Sequence, residues 1–384
     1  FGDSELAVRL PSLLGHLVYL FSSWKLVKSW TSNPWLALTG FLLLNLNPFL
    51  LEFFSLARGY GLAVACMMMS LYFFSRYLQT GRAAAVAGAF GGALLAVLSN
   101  FTLLNFYACL LTVFGGVMLL NLVSTSSGNR SLLPVAIAAS ISALLAWLIY
   151  RPIQFLMGKG EFEYGADSFW HTFKSLISNS FYGKKYLGMY NVEHFGAVLV
   201  LLLLAATFRS FRQFLKNPSD GWSRFYLSAC LLPLLASLAA IVQHHLLGSQ
   251  YQTGRTALMF IPLAALPVFL LFVDLLRQKI SWWRVGLPVL VAGFCMVHAY
   301  RSYQLQYSDE WWYDYRTKNM LLYLEEKLPE GKKISLGLHW IYQPTSVFYF
   351  KTMPLDFADT LIYDKNIRTD TLFDYYYVTG DDLK

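Results

Sequence analysis

Apolar runs long enough to cross a bilayer, repeated along most of the chain and joined by short polar segments, constrain this sequence more than any motif. A membrane helix needs about 20 mainly apolar residues. Ten such runs are predicted, near 11–28, 35–51, 60–78, 83–99, 101–123, 132–150, 196–213, 225–247, 256–276 and 284–300. Hydrophobic residues make up 56% of the chain and charged residues 14%, against about 25% charged in a soluble globular protein. The mean hydropathy is +0.46. A soluble core cannot absorb so much apolar surface. This excludes a disordered chain, a collagen, a disulfide-stapled secreted domain and an ordinary cytosolic enzyme. The predicted fold is an all-α polytopic membrane helical bundle over residues 1–300, with a small extracytoplasmic α/β domain over 301–384.

The net charge of +8 does not point to nucleic acid, because the basic residues sit in short joints between apolar runs. One set of alternate loops holds Lys25, Lys28, Arg76, Arg82, Arg130, Arg209, Arg212, Lys216, Arg224, Arg277, Lys279 and Arg284. The short loops of the other set hold Arg9, Arg58 and Arg255. The positive-inside rule assigns the first set to the cytoplasm. Cys66, Cys109, Cys230 and Cys295 all lie within apolar runs and form no CxxC pair, so they read as packing residues rather than zinc ligands.

With ten spans both ends lie outside. Phe1 opens no signal peptide, so at least one further span is expected upstream. The strand at Tyr375-Tyr376-Tyr377-Val378 lacks a closing element, which predicts truncation at that end too. In the outer region 151–195, Phe169, Trp170, Phe173, Leu176, Ile177 and Phe181 recur at helical spacing. This predicts an amphipathic helix on the outer membrane surface. In the tail, Met320, Leu321, Leu324 and Leu328 mark a helix ending near Pro329-Glu330-Gly331, and Ile334 to Leu338 reads as a strand.

Three stretches carry a resemblance. The first is Phe1-Gly2-Asp3-Ser4-Glu5-Leu6-Ala7-Val8-Arg9-Leu10-Pro11-Ser12. The second is Glu52-Phe53-Phe54-Ser55-Leu56-Ala57-Arg58-Gly59-Tyr60-Gly61-Leu62. The third is Tyr251-Gln252-Thr253-Gly254-Arg255-Thr256-Ala257-Leu258 with Pro262. In order and topology they resemble GT-C glycosyltransferases, the polytopic enzymes similar to protein O-mannosyltransferases and lipid A aminoarabinose transferases. The resemblance implies a sugar donor carried on a polyprenyl phosphate and a lipid, glycan or protein acceptor, at a bacterial cytoplasmic membrane. It also implies an acidic base in the first outer loop, which would precede Phe1. A transporter or flippase of lipid-linked saccharides is the competing reading, although no internal repeat supports it.

Each candidate residue has two readings. Glu52 is a carboxylate at a membrane edge, where charge is costly. It serves chemistry there, or it is a solvated acid or a partner of Arg58. Arg58 and Arg255 suit a phosphate leaving group, since a guanidinium binds two phosphate oxygens at once, or they are interfacial anchors. Tyr60 and Tyr251 stack on sugar or lipid, or belong to the aromatic belt. Glu161, Glu163 and Asp167 would admit a divalent metal ion, or form a solvated loop; the metal ligands are otherwise unassigned. His244-His245 point in different directions on a helix and form no ready metal pair. Asp309-Glu310-Trp311-Trp312 is a junction to the tail or an acceptor contact. There is no P-loop and no GxGxxG.

Overall fold

The computed structural model describes residues 4–124, 131–158, 165–186, 192–278, 282–304, 306–329, 331–355, 357–364 and 372–379. Two compact units result. Arg9–Tyr303 forms a helical unit, and Phe1–Val8 joins Gln304–Lys384 in a second.

The helical unit runs α1 (Glu5–Lys28, its residues up to Val8 belonging to the second unit), α2 (Pro34–Asn45), α3 (Pro48–Ser55), α4 (Gly59–Thr80), α5 (Ala83–Ser99), α6 (Leu104–Ser124), α7 (Leu133–Gly158), α8 (Phe169–Phe181), α9 (Val192–Lys216), α10 (Gly221–Leu247), α11 (Phe260–Gln278) and α12 (Trp282–Ser302). Among the described residues, eight of its helices are long and apolar enough to cross a membrane, nine if the bent pair α2–α3 is one span. The ten expected runs are therefore all helical, but two differ from simple spans. The expected 35–51 span breaks at Leu46-Asn47 with a 64° bend. Pro48 has no N–H to continue the ladder and disfavours helix in the residue before it. Asn47 then caps the new helix, its side chain accepting from the Leu50 N–H at 3.0 Å. The Asn33-Pro34 pair starts α2 in the same way, with Asn33 accepting from Trp35 and Leu36 N–H. The other exception is α5, whose 17 residues rise about 25 Å, short of a bilayer core of about 30 Å.

The helix ends sort into two chemically different rims. At the first, Ser12 near the start of α1 donates to the Arg58 carbonyl at 3.0 Å. A Cβ on Gly59 would sit 2.1 Å from the Ser99 carbonyl oxygen, so the start of α4 abuts the end of α5. Gln252, between α10 and α11, donates to the Thr102 carbonyl at 3.3 Å. At the second rim, Trp30 after α1 donates to Ser75 late in α4 at 2.9 Å and stacks on Phe225 near the start of α10. Arg224 donates to Asn121 at the end of α6 at 2.8 Å. Arg209 of α9 pairs with Asp274 of α11 at 2.5 Å, and Arg277 lies 3.8 Å over the Trp222 ring. The α2–α3 pair connects the rims, from Thr39 beside the Pro288 carbonyl past Tyr19 and Ser23 to the Arg58 turn. The break thus lies within a crossing between rims.

Packing inside the unit depends on small residues. A Cβ on Gly92 of α5 would meet α4 backbone at Ser70 N, 3.0 Å away. That close approach is how membrane helices gain dispersion contacts without a hydrophobic driving force. Close to the first rim, at the start of α6 and in the last turns of α10, the amides of Asn105 and Gln243 exchange two hydrogen bonds, at 3.0 and 2.7 Å. Cys66, Cys109 and Cys230 are buried and all four cysteines are free thiols, as packing residues would be.

The second unit contains α13 (Thr317–Lys327), β1 (Ile334–His339), α14 (Gln343–Thr352), β2 (Ala358–Asp364) and β3 (Tyr375–Tyr377). The strands form one parallel sheet in the order β2-β1-β3. Its core is Leu321 and Leu324 of α13, Ile334, Leu336 and Leu338 of β1, Tyr349 of α14, and Phe357. Glu5 belongs to this unit, where it accepts from Lys318 at 2.6 Å. The expected helix and strand around Leu321 and Leu336 are present, and the tyrosine strand expected without a closing element pairs with β1.

Candidate functional site

The first rim carries Glu52, Arg58, Tyr60, Tyr251 and Arg255, and α8 organises it; Asp309-Glu310-Trp311-Trp312 belong to the second unit. Ser168 caps this helix by accepting from the Trp170 N–H, and the chain stops at Tyr182, which adopts left-handed backbone with φ 54°. Such a conformation costs a side-chain-bearing residue about 1–2 kcal/mol. The apolar stripe was expected to lie on the membrane surface. Instead Leu176, Ile177 and Phe181 are buried, with Phe181 edge-on to Phe195 of α9 and the Gly196 position under Ile177 and Phe173. Protein covers those three positions, while Phe169 and Phe173 are half-buried and Trp170 remains 58% exposed.

Glu52 lies on α3 and is 9% exposed. The Tyr182 hydroxyl donates to its Oε1. Two further bonds tie the α8 segment nearby. Asn47 donates to Ser180 Oγ at 2.8 Å, and His298 of α12 donates through Nε2 to the Ser180 carbonyl at 2.7 Å. A carbonyl only accepts, so the other ring nitrogen, Nδ1, is the one that meets the Tyr186 hydroxyl. Arg301 lies 4.7 Å over the Tyr186 ring and donates to the Lys185 carbonyl. Burial pushes the Tyr186 phenol above its ordinary pKa, opposed by Arg301.

Arg58 and Tyr60 follow Glu52 directly. Arg58 is exposed at the N-cap of α4, and Tyr60 is half-buried with its ring edge-on to Phe53. Tyr251 and Arg255 belong to the α10–α11 connection. Tyr251 is 6% exposed. Its ring stacks on His244 at 4.3 Å and meets Phe169 edge-on, and its backbone pairs with Ala166. So buried against His244 and Phe169, Tyr251 is a brace for the α8 segment. His244 bonds the Ser249 carbonyl, as a helix-end residue does. Arg255 is half-buried in the short 3-10 turn Gly254–Ala257. That turn meets α8 where the Gly254 N–H donates to Ser175 Oγ at 3.1 Å. The α8 segment thus bonds both α3, at Glu52, and the turn bearing Arg255, at Gly254.

Asp167 is exposed, while Glu161 and Glu163 lie outside the described residues. Among the described residues, no group of three or more His, Cys, Asp or Glu side chains is placed to hold a metal ion. Tyr182, Asn47, Ser180 and His298 were not singled out from sequence. Only Gly183, following an apolar run, marks a helix stop. Nothing in the spacing says that Tyr182 would reach a carboxylate 130 positions away.

Length, hydropathy and the paired rims define a multi-pass membrane protein. No protein-family model matches the chain, and no curated protein matches it.

Proposed function

We propose that this protein is a GT-C-type glycosyltransferase. It moves a sugar from a polyprenyl-phosphate donor to a lipid, glycan or protein acceptor at the rim carrying Glu52. In this reading that rim and the small α/β unit face outside a bacterial cytoplasmic membrane, and the Lys/Arg-rich rim faces the cytoplasm. The observation that carries the proposal is a carboxylate, Glu52, buried beside the break of a membrane helix and oriented by Tyr182. A carboxylate so placed is costly and marks a site.

The acceptor hydroxyl attacks the anomeric carbon. Its oxygen forms the new glycosidic bond as the bond from that carbon to the phosphate oxygen breaks. A carboxylate takes the hydroxyl proton, and the polyprenyl phosphate leaves with the electron pair. Glu52 stabilises the positive charge that develops at the anomeric carbon. Arg58 and Arg255 bind the departing phosphate. Tyr60 flanks the sugar beside Glu52, and Tyr251 contributes by bracing α8.

The test is transfer from a polyprenyl-phosphate hexose or aminopentose by protein in nanodiscs, read as release of polyprenyl phosphate. Glu52→Gln should lower turnover in a folded protein, and wild-type rates in that variant would overturn the reading. Chelation by EDTA in the same assay separates metal-assisted from metal-free transfer. The broken α2–α3 crossing favours one alternative, since discontinuous helices form substrate sites in carriers. A flippase would move the lipid-linked saccharide across vesicle membranes without releasing polyprenyl phosphate.

A further inference from the structure

We propose that the carboxyl edge of the β2-β1-β3 sheet is a saccharide-binding site, built from residues other than those around Glu52. The inference rests on this unit alone and does not need the transferase reading. It begins with topology. β1 is central; the chain leaves it through α14 to reach β2 on one side, then returns to place β3 on the other. In an open parallel sheet the connections diverge at such a reversal, and ligands sit outside the carboxyl ends of the strands there.

The side chains at that edge form an aromatic series. β1 ends at His339, followed by Trp340 and Tyr342; β3 ends at Tyr377. Tyr342 lies against Tyr377 with ring centroids 4.2 Å apart. Tyr313 meets Tyr342 edge-on at 6.2 Å, and His339 lies 6.0 Å from Trp340 and 6.3 Å from Tyr342. The series runs from buried Tyr342 out to Trp340, which is 49% exposed. Tyr342 is buried against Tyr377 at the border of the apolar core, whereas Tyr313, His339 and Trp340 lie outside the core cluster and line its exposed side.

A carboxylate sits at the same edge. Asp314 accepts from Thr317 Oγ1 at 2.6 Å and from the Thr345 hydroxyl, and Thr317 Oγ1 lies 3.4 Å from the Tyr377 hydroxyl. Burial pushes the Asp314 carboxyl above its ordinary pKa, while the two threonine hydroxyls pull it back. A pyranose has an apolar C–H face and a rim of hydroxyls. The first packs on an aromatic ring, and the second bonds carboxylate, imidazole and phenol groups. An anionic ligand would meet Asp314, so the chemistry favours an uncharged saccharide.

The experiment is saturation-transfer-difference NMR on the protein in nanodiscs, with maltohexaose, cellohexaose and chitohexaose as probes. At least one probe should receive saturation. Its affinity should fall about 2- to 10-fold in Trp340→Ala, the loss expected for one stacked ring, and hold in Glu52→Gln. If Trp340→Ala loses its fold by circular dichroism, Trp340→Leu carries the test, because it keeps apolar bulk without an aromatic face. Three results would overturn the proposal: no transfer to any probe, unchanged affinity in the folded Trp340 variant, or a signal lost in Glu52→Gln alone. The last would assign the sugar to the membrane-rim site.

Discussion

The Tyr182 hydroxyl and the Glu52 carboxylate meet across 130 positions of sequence, joining the stop of α8 to the second half of a broken membrane helix. Both side chains are more than nine-tenths buried. A buried carboxylate keeps its orientation only while its donors stay in place, so the pair is a unit.

That unit predicts coupled loss. Tyr182→Phe removes a hydrogen bond to a charged group, a loss of about 1.5–3 kcal/mol, and should lower turnover while leaving the protein folded. Glu52→Gln should lower it further. The double variant should fall short of the sum by about 0.5–3 kcal/mol, the range for residues in contact. Additive effects in donor-turnover assays would separate the two residues.

Donor binding should depend on the two arginine loops. Arg58→Gln and Arg255→Gln should each weaken binding of a polyprenyl-phosphate sugar by roughly 10- to 150-fold, the equivalent of one charge-assisted bond. Arg→Lys should recover part of this, because lysine keeps the charge and loses the planar fork. Unchanged affinity in both glutamine variants would remove them from the site and favour the carrier reading.

Orientation is open to labelling. After replacement of Cys66, Cys109, Cys230 and Cys295, a single cysteine at Asp167 should react with an impermeant reagent added to intact cells. One at Asn217, exposed in the α9–α10 turn, should react only after lysis. The opposite pattern would invert the protein and place Glu52 in the cytoplasm.

The amide exchange between α6 and α10 gives a stability prediction. Asn105→Leu leaves the Gln243 amide without its partner, and a lost buried hydrogen bond of this kind costs about 1–3 kcal/mol. The double variant Asn105→Leu with Gln243→Leu should regain much of that loss in thermal unfolding, since no polar group is then stranded. A double variant no more stable than the single one would show that the amides are not each other's main partners.

The helices were legible because hydropathy and length are local properties. Every expected run is helical, and even the break in the second was written in the chain as Asn47-Pro48, matching Asn33-Pro34 at a helix start. Counting it as one uninterrupted span overlooked that cap. Among the described loops, charge pattern sorted Lys25, Lys28 and Arg76 to the rim of the Trp30–Ser75 contact and Arg9 and Arg58 to that of the Ser12–Arg58 contact; Arg130 and Lys279 lie outside the described residues. Long-range partnerships were not legible. Whether the stripe on α8 faces lipid or protein depends on α9 and α12 arriving beneath it, and Leu176 and Ile177 look the same in either case. Tyr251 was readable as an interfacial aromatic, but its burial against His244 and Phe169 follows from tertiary contact alone.

The left-handed backbone at Tyr182 has an evolutionary consequence. Glycine or asparagine would relieve that conformation, yet either would delete the hydroxyl that reaches Glu52. Nor would either stabilise the fold, because the relief of about 1–2 kcal/mol is outweighed by the loss of about 1.5–3 kcal/mol from the hydrogen bond to a buried carboxylate and by the ring volume removed from a buried site. Backbone comfort and side-chain bonding compete for the same residue, so tyrosine there marks which of the two demands has governed the position.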